Sequence, residues 1–399
     1  MRDGSPRLLR AINDRVAIGA LLREGPLTRA DLGDVIGLSK PATAQLLVRL
    51  EQDGFLVREG VRGGSRGPRA QLWAVNGSVA YVAAVDLTPH GADFLIADVT
   101  GRAVGEQWTE LPIEEGTDVV GAFAAALDAA ATKAGIELGR LRQVVLGVPG
   151  ALDPRTGRLE SAPHLPGWSG FDLRAELERA IAPAVTVEND VNLVALREMA
   201  EGEGAALRDF VLVWLSEGVG GAVVLNRTLR RGASGSGGEI DWLRVPDPHA
   251  KGTTGTRWGD LVDSPAILAL ARTHGMSAST GWAAVGAAVE AGEGGREFLA
   301  DLARRIAVGV ANVVSVVDPE AVLLCGEVSR AGGTVLAELV ATELHRLVVA
   351  ATPVGLASVP GNAVRAGALQ AALVAVHEDV FGLAPTASDV LHRSPSVHS

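Results

Sequence analysis

The sequence predicts an α/β protein in which a small N-terminal winged helix-turn-helix precedes a larger, two-lobed α/β body. Three observations predict it. The first 75 residues carry 12 Lys and Arg against 8 Asp and Glu, whereas the remainder carries 24 against 39. Within that mildly basic head, short helical periodicities surround a glycine turn and lead into a Gly/Arg-rich loop. From about residue 79, apolar strand-like runs alternate with helical stretches, and a three-strand opening occurs twice.

Composition sets the outer limits. The 399 residues are 47% hydrophobic, enough for two or three domains and against wholesale disorder. The single cysteine, Cys325, excludes a disulfide scaffold, an iron–sulfur cluster and a cysteine-built zinc site, and it fits a reducing cytoplasm. No apolar run reaches the roughly 18 residues of a membrane helix. No apolar signal segment follows the N-terminal MRDGSPRLLR, so the expectation is a cytoplasmic protein with no membrane partner. A net charge of -11 argues against a protein that coats nucleic acid over its whole surface.

The head is residues 1–76. Leu8, Leu9, Ile12, Val16, Ile18, Leu21 and Leu22 recur near helical spacing, so residues 7–23 form a helix ended by Gly25-Pro26. Thr28 with Asp31 three residues later caps a second helix. Gly37-Leu38 makes the turn, Ser39 caps a third helix, and Pro41 suits its first turn. Thr43, Leu46, Leu47 and Leu50 fall on its buried face, leaving Lys40, Gln45 and Arg49 elsewhere. Such a helix enters the major groove N-terminal end first, placing Ser39, Lys40, Gln45 and Arg49 at the DNA. Lys suits guanine acceptors and Gln suits adenine. Residues 54–58 and 71–75 read as the strands of a wing, and Arg62 and Arg66 at its tip can reach phosphate or a narrow minor groove. Double-stranded DNA is the favoured partner, and a helical protein–protein adaptor is the other reading. Gly63-Gly-Ser65-Arg-Gly67 matches a hydrolase G-x-S-x-G, but a hairpin loop is the wrong context for a nucleophile elbow.

The body opens with strands at 81–86, 92–98 and 103–111, a helix over 117–134, a strand at 144–148, a helix over 172–181, a strand at 185–187 and a helix over 191–203. The plan then restarts with strands at 210–215, 220–225 and 229–230. Helices follow near 264–274, 279–291 and 295–316, then a strand at 321–325 and helices over 333–347 and 362–379. A first lobe over 79–192, completed by 370–382, a second lobe over 193–369 and a frayed tail over 383–399 are expected. Duplicated lobes place a ligand in the cleft between them.

Val187-Glu188-Asn189-Asp190-Val191-Asn192 after a strand resembles the END-x-N signature of the ROK family (repressors, open reading frames and kinases). Gly147-Val-Pro-Gly150, Ala162 to Trp168, Glu217 to Gly221, Arg231 to Ile240 and Cys325-Gly326 resemble its other segments in order, and the head resembles the winged helix of its repressors. The resemblance covers about residues 7–380. It implies an actin-like, sugar-kinase (ribonuclease H-like) body, and a repressor of carbohydrate metabolism. It implies that Asp190 is the position of the kinases' general base, and that Glu239 is a second sugar-binding carboxylate. Asn189 stands beside Asp190, His164 is a further contact, and Trp242 either stacks on a ligand or packs in the core. Asp190 either binds the ligand or only caps the following helix.

Departures from the family's pattern point away from catalysis. Asp86-Leu-Thr-Pro-His90 replaces Asp-x-Gly-Gly-Thr, and Pro89 has no N–H to donate to a phosphate. Ser216-Glu217 replace Gly-Thr, and a Glu repels a triphosphate. The family's zinc ligands, one His and three Cys, are replaced by Asp241-Trp242 and the thiol-free 250–258 segment, leaving His249 alone. The expectation is therefore a DNA-binding homodimer or homotetramer with no metal and no cofactor, sensing a sugar, sugar phosphate or related small molecule. An ATP-dependent sugar kinase with an appended DNA-binding head is the alternative, and a body that only dimerises is a third.

Overall fold

The computed structural model describes residues 6–63, 69–160, 162, 164–246 and 255–384. The head comprises α1 (Pro6–Glu24), β1 (Leu27–Thr28), α2 (Arg29–Ile36), α3 (Lys40–Gln52), β2 (Leu56–Arg62) and β3 (Ala70–Val75), with the strands in the order β1-β3-β2. Thr28 and Asp31 close the capping box in both directions, at 3.3 and 2.9 Å. Gly37 then ends α2 at φ 73°, a left-handed conformation glycine adopts without penalty. Thr43, Leu46, Leu47 and Leu50 are the buried residues of α3. One detail departs from the sequence reading. The Ser39 side chain makes no capping bond, and its carbonyl instead accepts from the Thr43 hydroxyl at 3.1 Å.

The first lobe follows after a single 3-10 turn. It contains β4 (Tyr81–Thr88), β5 (Gly91–Asp98), β6 (Ala103–Thr109), α4 (Val119–Lys133), β7 (Leu141–Val148), β8 (Ala151–Leu152), β9 (Leu159–Glu160), α5 (Leu173–Ala180), β10 (Ala184–Asn189) and α6 (Asp190–Glu201). The second contains β11 (Phe210–Leu215), β12 (Val219–Leu225), β13 (Thr228–Leu229), β14 (Arg244–Val245), β15 (Thr256–Arg257), α7 (Gly259–Val262), α8 (Ser264–Thr273), α9 (Gly281–Glu290), α10 (Arg296–Val317), β16 (Ala321–Cys325), α11 (Gly326–Leu344) and β17 (Val354–Leu356), and α12 (Ala363–Phe381) closes the chain. The two five-stranded sheets share one topology, β10-β7-β4-β5-β6 and β17-β16-β11-β12-β13. In each, three strands pair in parallel and two more continue the sheet on one side through antiparallel pairings. The repeated three-strand opening in the sequence is thus a true duplication of architecture.

Two differences concern boundaries. The helix read over 333–347 begins at Gly326 and bends at Gly333, whose φ of 53° breaks the helical run. The short β17 lies beside β16 without a sequence signal of its own. Both sheets are buried, so their central strands read as near-continuous apolar runs. α12 lies on the first sheet and crosses α6 closely: a Cβ at Gly367 would collide with the Leu193 carbonyl. Replacing Gly367 with Ala is expected to cost about 1–3 kcal/mol, measured by denaturant unfolding, because backbone faces backbone there.

One apolar core runs without interruption from the head into the body. It includes Ile18, Leu21, Leu47 and Trp73 of the head together with Val194, Ala372 and Phe381. The head therefore packs on the body rather than hanging from a linker.

Candidate functional site

Ligand sites in parallel α/β sheets lie beyond the C-terminal ends of the strands. Asp86 stands near the end of β4, and Asp190 directly follows β10. The helix cap at this point belongs to Asn189, whose Oδ1 accepts from the Asn192 amide at 2.9 Å while its Nδ2 donates to the Gly150 carbonyl at 3.1 Å. Asp190 is relieved of that task. Its Oδ1 accepts from the neighbouring Val191 amide at 2.8 Å. Beneath it, Glu188 is buried and pairs with Arg231 at 2.7 Å and with Asn192 at 3.0 Å, which braces the strand end.

Glu239 comes from the second lobe and joins Asp86 and Asp190 in one acidic cluster. Burial, then the charge of Asp86, pushes Asp190 up to about 7. Burial, then Asp241, pushes Glu239 to about 7. Burial raises Asp86 to about 6 against the opposing bond from Asn362. The cluster thus offers hydrogen-bond acceptors that are poorly satisfied by the protein itself. Desolvated acceptors of this kind suit a neutral ligand rich in hydroxyl donors.

A consequence for stability follows from the direction of these shifts. The folded state holds protons that the unfolded chain, with an aspartate value of 3.8, has already released. That stabilisation is complete below pH 3.8 and is lost as the pH rises through about 7. Stability of the ligand-free protein should fall between pH 5.5 and pH 8. Asp190→Asn should flatten the fall by about 1–2 kcal/mol, a figure already reduced for solvent in the cleft, and thermal midpoints across this range check it.

The rim of the cleft differs from what its parts suggest singly. Trp242 is 51% exposed, so it is not a core residue. The Arg257 guanidinium lies 5.1 Å from its ring centroid and pairs with Asp241 at 3.3 Å and Asp260 at 2.8 Å. A guanidinium seated between two carboxylates does not suit a zinc ion, and the buried Cys325 at the end of β16 donates to the Val213 carbonyl. No group of three or more metal-binding side chains occurs among the described residues; His249 lies outside them. Burial raises both Asp241 and Asp263, and the exposed His164 is near enough to oppose that rise slightly.

On the other side of the cleft, the two departures read in the phosphate loops meet each other. His90 Nε2 bonds both Glu217 oxygens, at 3.1 and 3.3 Å, across the lobes. The His90 amide bonds the Thr88 hydroxyl at 3.2 Å, and the Ser216 amide bonds the Gly218 carbonyl at 3.0 Å. These backbone donors are turned inward.

In the head, Ser39, Lys40 and Gln45 are exposed, Ser39 at the cap of α3 and the other two in its first turns. Arg49 is engaged with Asp14 of α1. Arg62 bonds Asp31 at 2.8 Å, tying the wing to α2. Arg66 lies outside the described residues.

Residues 82–377 match the profile of the ROK family. The chain belongs to the ROK family. Residues 16–67 separately match the MarR family, which agrees with the winged helix described above. Among ROK relatives, the chain is 23% identical over 353 residues to the xylose repressor of Caldicellulosiruptor bescii, across 84% of this chain and 88% of that one. Its fold resembles that of a ROK family transcriptional regulator, a homolog of the E. coli MLC protein, with TM-score 0.71 and 17% identity over 94% of this chain and 98% of the other. The ROK hexokinase of Thermus thermophilus gives TM-score 0.59 and 27% identity over 72% of this chain and 96% of its own. A ROK kinase therefore matches only part of the chain, whereas the regulator's fold extends over nearly all of it.

Proposed function

We propose that this ROK protein is a sugar-responsive, DNA-binding transcriptional repressor acting in the cytoplasm. The observation that carries the proposal is one chain holding both a winged helix with exposed residues on α3 and an interlobe cleft lined by clustered carboxylates. The alignment with a xylose repressor over 84% of this chain supports it. In this reading Asp190 and Glu239 accept bonds from sugar hydroxyls, Asn189 positions Asp190 through the helix cap, and His164 and Trp242 flank the opening. Neutral sugars are preferred to sugar phosphates, because the acidic cluster repels a phosphate.

Ser39, Lys40 and Gln45 meet base edges and nearby phosphates, with Arg62 on the wing and Arg49 bracing α3 from behind. A homodimer or homotetramer would present two such heads to two half-sites about one helical turn apart.

The kinase alternative keeps Asp190 but meets obstacles on the phosphate side. Pro89 lacks a donor, the neighbouring amides are engaged, and Glu217 stands in the second loop with His90 paired to it. Calorimetry with D-xylose, D-glucose and their phosphates, run beside a coupled ADP assay, separates the readings. The repressor reading predicts heat from a neutral sugar and no ADP. ADP formation abolished by Asp190→Asn would establish the kinase, and binding of no sugar at all would leave a body that only dimerises.

A further inference from the structure

α12 begins inside the cleft and ends on the head. At its start, Asn362 caps the helix through Oδ1, which accepts from the Arg365 amide at 2.9 Å. Its Nδ2 donates to Asp86 at 2.8 Å and to Asp93 at 3.2 Å. Arg365, one turn further, pairs with Asp93 at 2.8 Å and Glu106 at 3.3 Å. The first turn of the helix is thus clamped to β4, β5 and β6. Midway, Gly367 holds α12 against α6, the helix that opens with Asp190. At its end, His377 bonds the Val99 carbonyl at 2.7 Å, and the Phe381 ring meets Phe55 of the head edge-on at 5.6 Å. Leu383 and Gly382 approach Gly19 and Arg15 of α1.

A helix of 19 residues spans about 28 Å. It touches the cleft acids at one end and α1 and Phe55 at the other. A close-packed helix moves as a unit, so a change in the seating of one end shifts the other.

We infer that Asn362 is a positioning residue which, through α12, couples the carboxylate cluster of the cleft to the packing of the winged helix. The inference deepens the regulator reading, and rests on it for its biological use. A ligand that draws on Asp86 changes what Asn362 holds, and α12 carries the change to Phe55 and α1. By reciprocity, a change in the head's seating alters the cleft.

The test needs neither an effector nor an operator. Asn362→Ser keeps a capping oxygen but loses the reach to Asp86 and Asp93. Amide hydrogen exchange is measured on the full chain, with Leu302→Ala, buried in the second lobe, as a control for general destabilisation. The expected result is exchange roughly ten-fold faster in head segments 15–22 and 50–56 for Asn362→Ser, with the same segments unchanged in the control. Phe381→Leu reads the link from its other end, and should speed exchange at 84–88 and 362–366. Acceleration confined to the mutated end in both variants, or raised equally throughout the chain, overturns the inference. A positive exchange result with no response of DNA binding to any sugar would retain the link and reject the regulator reading.

Discussion

Asp190→Asn is expected to lower affinity for the sugar that the wild-type protein binds by roughly 100-fold, as a charged acceptor serving one or two hydroxyls is worth about 1.5–3 kcal/mol per bond. Affinity for DNA without sugar should stay within about two-fold, because the residue lies in the cleft and the fold is not built on its charge. The helix cap survives the substitution, since it belongs to Asn189. Removing a desolvated carboxylate should even stabilise the ligand-free protein at pH 8. Loss of binding together with raised stability is a signature that simple misfolding does not produce. Calorimetry and thermal unfolding of the same sample check both halves.

The second large effect concerns the head. Lys40→Ala with Gln45→Ala should weaken specific DNA binding by roughly 30- to 20,000-fold, taking about 1–3 kcal/mol for each side chain that reads a base edge. The loss should fall mainly on specific sequences. If Lys40 instead serves a phosphate, its removal weakens all sequences alike and reduces the salt slope by about one. Both side chains are exposed, so sugar affinity and the thermal midpoint should not move. Fluorescence anisotropy on upstream and scrambled duplexes, repeated at several salt concentrations, distinguishes the two roles. Arg49→Ala behaves differently: it frees α3 from Asp14, and its effect should appear in stability as well as in DNA affinity.

Much of the fold was legible because local periodicity and burial agree. The buried face of α3 and the Thr28–Asp31 capping box were readable from spacing alone. The duplicated lobes were readable because buried parallel strands give unbroken apolar runs. The start of α11 was obscured by Gly326, Gly332 and Gly333, which read as breakers although only Gly333 interrupts the helix. The three-residue β17 carries no pattern of its own and is held by its neighbour β16.

The site was legible in parts. Its carboxylates stood out beside the END-x-N segment, but their relation to one another did not. Whether Asp190 binds or caps depended on the neighbouring Asn189, a choice that only geometry distinguishes. His90 and Glu217 were each visible as departures, yet 127 residues separate the pair they form. Asn362 gave no signal at all, because a helix cap looks the same whether or not its amide reaches a distant aspartate.

The most direct measurement is DNA affinity with and without saturating sugar, for the wild type and for Asp190→Asn. Anisotropy on a duplex from upstream of the protein's own gene supplies it, after calorimetry has chosen the sugar. Sugar is expected to change wild-type affinity by roughly 5- to 150-fold, the span of ordinary allosteric coupling, and to leave the variant unchanged. A wild-type protein that binds the sugar by calorimetry yet holds DNA equally with and without it is not a sugar-responsive repressor.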